Sequence, residues 1–173
     1  MLLIEKLHFS ASNIGDFFAY IGIWIAIVQA VITPILAKRF RPYVVLRVSV
    51  IGAGITLLLY LLATNTTDLL WITPIFALFI GNTIANSLAL VSMTADSKIQ
   101  GEVLGINASV QSLAQAIPAI MSGYIAAIGI NTPVLVGGFT VIAGGVLFIA
   151  IYRPSKHLLH QHFGGEAPVV AGH

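Results

Sequence analysis

Five apolar segments, residues 14–37, 43–63, 70–92, 105–128 and 133–152, leave this chain one class of fold. Each holds the roughly 20 helical residues that a bilayer's hydrocarbon core requires. In lipid a helix satisfies its own backbone hydrogen bonds, so such segments span rather than merely pack. Composition agrees: the 173 residues are 58% hydrophobic and 8% charged, against about a quarter charged in soluble domains, with a mean hydropathy of +0.98. The expected fold is an all-α integral membrane bundle of five transmembrane helices. Residues 14–152 form that domain, 1–13 read as the end of a missing helix with an external loop, and 153–173 as a cytoplasmic tail.

Polar punctuation marks the segment ends. Ser12 or Asn13 can cap the first helix, and Asp16 near its first turn suits the positive end of the helix dipole. Pro42 and Pro133 stand where a helix begins and a missing amide costs nothing. The connections are short, which predicts that consecutive helices are antiparallel neighbours. With the 38–42 loop in the cytoplasm, Lys38, Arg39, Arg41, Arg47, Lys98, Arg153 and Lys156 share that side and only Lys6 lies opposite. Seven basic residues against one place the N-terminus outside and the C-terminus in the cytoplasm. The start MLLIEKLHFSAS has neither the basic region nor the cleavage site of a signal peptide. An outside N-terminus without a leader is the reason to expect a preceding helix, hence a chain that begins partway through a larger protein.

Composition also excludes classes of function. There is no cysteine, hence no disulfide framework, thiolate nucleophile or cysteine metal site. The basic residues follow the membrane segments, so they imply orientation rather than a nucleic-acid partner. His157, His160 and His162 lack a nearby carboxylate or cysteine and read as a solvated tail; no metal site and no cofactor is expected. No Ser/His/Asp set or pair of intramembrane acids supports an enzyme.

The fourth segment is the most patterned. At 100° per residue from Gly105, Asn107, Gln111, Gln115, Pro118 and Ser122 fall within an arc of about 80°. Ala108, Ser112, Ala116, Ala119 and Gly123 extend that arc, and Val110, Leu113, Ile117, Ile120, Met121 and Tyr124 fill the opposite side. In a bilayer small residues let helices approach and amides seek protein partners, so the bulky side is expected to face lipid. In the first segment Gly15, Ala19, Gly22, Ala26, Gln29 and Thr33 share a face; in the third, Asn82 and Asn86 lie one turn apart. The second and fifth offer only Ser49, Thr56 and Thr140 beyond Arg47. Polarity therefore predicts helices one, three and four facing inward, with two and five peripheral.

The run Gln100-Gly101-Glu102-Val103-Leu104-Gly105, with Ser109, Ser112-Leu113, Pro118 and Gly123, resembles the cytoplasmic turn and eleventh helix of the drug:proton antiporters of the major facilitator superfamily, the tetracycline-efflux type in particular. Ile14-Gly15, Gly22-Ile23 and Gln29, leading into Leu36-Ala37-Lys38-Arg39-Phe40, resemble the eighth helix and its following loop, with Lys38 in the place of the family's acid. The resemblance covers nearly the whole chain. It implies helices 8 to 12 of a twelve-helix fold, the C-terminal half of a secondary transporter that rocks against an N-terminal half around a midplane site. It also implies a bacterial inner membrane, export of an amphiphilic or drug-like small molecule, and protons as the coupling ion.

Intramembrane amides tend to mark substrate pathways, so Gln29, Asn82, Asn86, Gln111 and Gln115 are the candidate substrate contacts. The competing account is interhelical glue, worth well under about 1 kcal/mol per pair on average. Lys38, Arg39 and Arg41 are an orientation signal, and the resemblance adds a cytoplasmic gate. Beside the transporter stands a second class, a small structural or assembly membrane protein with no substrate, in which the amides pair with one another.

Overall fold

The computed structural model describes residues 10–152 apart from 97, 128 and 130. Residues 1–9, with Lys6, and 153–173, with Arg153, Lys156, His157, His160 and His162, lie outside the described residues, as do the side chains of Ser122 and Gly123. Five helices are long and apolar enough to cross a membrane: Ser12–Arg39, Pro42–Leu59, Thr66–Thr94, Gln100–Met121 and Thr132–Ile151. They occupy the five expected segments, and no strand occurs among the described residues.

The helix starts come earlier than the apolar runs suggest, and local chemistry explains two of the shifts. Helix α1 (Ala11–Ile27) is capped by Ser10 rather than by Ser12 or Asn13, its hydroxyl accepting the Asn13 amide at 3.2 Å. Asp16 consequently lies in the second turn, beyond the end of the helix where a carboxylate gains most from the dipole. Helix α4 (Thr66–Thr94) begins ahead of residue 70 because Asn65 and Asp68 form a capping box. Asp68 accepts the backbone amides of Thr64 and Asn65 at 2.9 and 3.1 Å. Helix α3 (Pro42–Leu59) opens on the expected Pro42, and helix α6 (Thr132–Ile151) carries the expected Pro133 as its second residue. Helix α5 (Gln100–Ala126) starts well before Gly105, with Glu102 in its first turn.

The first span is not a uniform helix. A π-helical turn, Val28–Ile32, separates α1 from α2 (Thr33–Arg39). Pro34 is the cause: it has no amide to donate and its ring crowds the carbonyl of Ala30. The turn ahead of it widens, and the Thr33 amide reaches back five residues to the Val28 carbonyl.

Packing departs from the expectation drawn from polarity at the second and fourth spans. Within the chain, α3 is central: it lies against α4 on one side and α6 on the other, burying Val45, Leu46, Ser49, Ala53, Gly54 and Thr56. Helix α5, expected to face inward, touches α4 and α6 only sparsely and buries none of its residues from 100 to 121. The physical reason is backbone approach. A Cβ on Gly54 would lie 2.6 Å from Ile142 Cγ1, and Gly52, Gly138 and Gly145 meet Phe79, Leu58 and Ile51 just as closely. Glycine permits this packing without any polar group, so a helix lacking amides can still be the best buried. Nor are all consecutive spans neighbours: the first and second each lean on α4 and hardly on each other, leaving a wedge between them.

Candidate functional site

Helix α4 supplies the polar centre of the bundle. Its buried stripe is Leu69, Thr73, Ala77, Gly81, Asn82, Asn86 and Leu90. Gly81 lets the first span close in, since a Cβ there would stand 3.0 Å from Val28 Cγ1. Beside that contact Asn82 is 1% exposed, donating through Nδ2 to the Leu78 carbonyl at 2.8 Å and accepting at Oδ1 from the Thr33 hydroxyl at 3.1 Å. Asn86, also buried, donates to the Asn82 carbonyl at 2.8 Å. The two asparagines therefore bond their own helix, and Asn82 ties it to the first span.

The three glutamines are placed differently. Gln29 sits in the π turn and is exposed, Gln111 is half-buried and Gln115 exposed. None of the three side chains forms a hydrogen bond with another described residue. On the same helix the Ser109 and Ser112 hydroxyls turn back to the Gly105 and Ala108 carbonyls at 3.0 and 2.9 Å, so Gln111 and Gln115, together with Asn107, are left as the amides that address whatever faces α5. The small residues beside them are open too: a Cβ on Gly101, Gly105, Gly15 or Gly22 would meet nothing within 4 Å. Val110, Leu113, Ile120 and Tyr124 on the opposite side are at least 60% exposed, so both sides of α5 are uncovered in this chain.

The described basic residues gather at one end of the bundle. Lys38 and Arg39 occupy the last turn of α2, where a cation complements the negative end of the dipole, and Arg41 precedes α3. Nearby stands a cluster that composition did not single out. Arg47 Nη2 donates to the Tyr152 carbonyl at 2.9 Å and its guanidinium lies 5.5 Å from the Tyr43 ring centre. Tyr152 in turn stacks on Phe148 at 4.9 Å. Arg47 thus closes the end of α6 onto α3 and is a structural tie, foreshadowed by the one-turn spacings Tyr43/Arg47 and Phe148/Tyr152. Aromatic ties recur at the other end, where the Tyr20 hydroxyl donates to the Leu70 carbonyl at 3.1 Å.

Among the described residues no group of three His, Asp or Glu side chains could hold a metal ion. No curated protein and no solved structure matches the chain. A sequence profile does match it, over residues 1–171, and by that match the chain, an integral membrane protein, belongs to the Major Facilitator Superfamily of membrane transporters.

Proposed function

We propose that this chain is the C-terminal half of a drug:proton antiporter of the tetracycline-efflux type, its five spans corresponding to helices 8 to 12, and that it works by alternating access against an N-terminal half. The observation that carries the proposal is the pair Gln111 and Gln115, one turn apart on a helix that buries nothing along residues 100–121. An amide facing hydrocarbon costs several kcal/mol, so these side chains require either a protein partner or a water-filled cavity. The open glycine faces of α1 and α5 offer such a partner close approach.

In this reading Gln29, Gln111 and Gln115 contact an amphiphilic, drug-like substrate. Asn82 and Asn86, whose amides already bond within the bundle, form the layer behind them and fix the first span to α4. Lys38, Arg39 and Arg41 lie in the cytoplasm of a bacterial cell, at a gate between the two halves. Within the described spans the acids stand only near the helix starts, as Asp16, Asp68 and Glu102, so in this reading the proton-coupling carboxylate belongs to the N-terminal half.

The test is co-expression of the full chain with a matching N-terminal half. The pair should give a stable complex that extrudes an amphiphilic fluorescent dye, with loss of extrusion on adding a protonophore. A chain that is monodisperse and transports alone would overturn the half-transporter reading, and a stable pair without transport would favour a structural protein.

A further inference from the structure

The wedge between the first and second spans holds a cavity of about 370 Å³, walled by Ile32 and Leu36 on one side and Val44 and Val48 on the other, with Phe79 and Asn82 at its floor. Its size is that of a small-molecule site, for which about 300–1,000 Å³ is usual. The polar atoms of the Asn82 side chain are engaged elsewhere, by Leu78 and Thr33, and Ser49 is the other polar side chain in an otherwise apolar lining, so the cavity favours an apolar occupant.

Two observations identify the occupant. The cavity opens on the side of α3 where Val44, Val48, Ile55 and Leu59 are exposed, a branched aliphatic face without glycine or amide that suits lipid. At its mouth stands Phe40, flanked by the exposed Lys38 and Arg39 and by Arg41. No acidic residue lies between Asp16 and Asp68, so the charged side chains of the α2–α3 connection are all basic. An apolar trough that ends in a basic rim at the helix termini complements one class of molecule, a lipid with an anionic head.

We infer that the wedge is a binding site for an anionic phospholipid, with one acyl chain between Leu36 and Val48 and the phosphate held by Lys38 and Arg39. None of Gln29, Gln111 and Gln115 lines the site. Its occupant would fill the space between two spans that barely touch, so the lipid acts as a packing element of the first span.

The test uses the full chain in phosphatidylcholine vesicles carrying a trace of phospholipid with a photoactivatable diazirine in the acyl chain, in phosphatidylglycerol and phosphatidylcholine versions. Cross-linked residues are mapped by peptide mass spectrometry. The phosphatidylglycerol probe should label Leu36, Val44 and Val48 several-fold more than Ile55 and Leu59 on the same face, and the phosphatidylcholine probe should show no such preference. The double substitution Lys38→Gln/Arg39→Gln should lower the phosphatidylglycerol labelling of the wedge by roughly an order of magnitude, the scale of two charges at an anionic surface. Labelling of Ile55 and Leu59 should persist in that variant, which shows that it is folded. Equal labelling of the two patches, equal labelling of the wedge by both probes, or indifference to the charge removal would each overturn the site.

Discussion

Gly54 and Gly138 face each other across the α3–α6 crossing: a Cβ on Gly54 would stand 3.2 Å from the Gly138 carbonyl oxygen, and one on Gly138 would stand 3.4 Å from that of Gly54. Contacts of this closeness bring backbone to backbone and permit Cα–H···O interactions. Gly54→Ala forces the new methyl against the α6 backbone and Ile142, an overpacking that costs about 1–3 kcal/mol. Gly144, in the same helix as Gly138, meets nothing within 4 Å, and Gly144→Ala should be neutral or stabilising by up to about 1 kcal/mol. Thermal unfolding of both variants in detergent checks the contrast; equal melting temperatures would remove the crossing from the list of stabilising contacts.

Tyr20 compensates for a proline. Pro74 has no amide, so the Leu70 carbonyl one turn earlier loses its helical donor, and the Tyr20 hydroxyl takes that place at 3.1 Å. Tyr20→Phe should therefore cost about 1 kcal/mol of stability. In a Pro74→Ala background, where the helix supplies its own donor, the same change should cost less. A double-mutant cycle reads the difference, and strict additivity of the two changes would show that the hydroxyl does not serve this carbonyl.

The contrast between those cases marks what could be read from the residues. The spans were legible because hydropathy over some 20 residues is a property of each segment alone. Their order of packing was not, since Gly54 and Gly138 carry no polarity and their value appears only when two helices meet. The π turn had a visible cause in Pro34, and the early start of α4 a visible capping pair in Asn65 and Asp68; both were hidden within or beside apolar runs that set the boundaries. Asn82 and Asn86 were legible as inward-facing, but whether an amide bonds its own helix or a ligand depends on neighbours such as Thr33, 49 residues away.

Tyr152 has separable functions. Its carbonyl accepts from Arg47, its ring stacks on Phe148, and its hydroxyl is buried without a hydrogen-bond partner among the described residues. Tyr152→Phe keeps the first two and removes the third, so it should leave stability unchanged or raise it by up to about 1 kcal/mol. Arg47→Met removes the donor to the end of α6 and should lower the melting temperature. A destabilising Tyr152→Phe would mean that the hydroxyl has a partner in the membrane-embedded protein.

Orientation is open to labelling from one side. Thr66 and Asn131 lie at one end of the bundle and Lys98 at the other, as the helix order dictates. With the basic end in the cytoplasm, Thr66→Cys and Asn131→Cys should react with an impermeant thiol reagent in intact cells, whereas Lys98→Cys should react only after the membrane is opened. Labelling of Lys98→Cys in sealed cells would invert the proposed orientation.

Gln111 and Gln115 are the residues on which the substrate proposal depends most. They sit one turn apart, near the middle of a helix that starts at the basic end at Gln100, so a substrate arriving from that end would meet them about halfway along it. Replacing either by Leu keeps a similar volume and removes the amide. If the amides face a water-filled cavity, the assembled transporter should fold normally, and substrate affinity should fall by the order of one hydrogen bond, about 1 kcal/mol or several-fold. If they instead bond the partner half, the substitution strands a buried donor or acceptor, and the assembly should lose thermal stability while the surviving folded fraction binds as before. The measurement is melting temperature and dye affinity of both variants in the co-expressed pair. Stability lost with affinity intact would move the two glutamines from the substrate site to the interface between the halves.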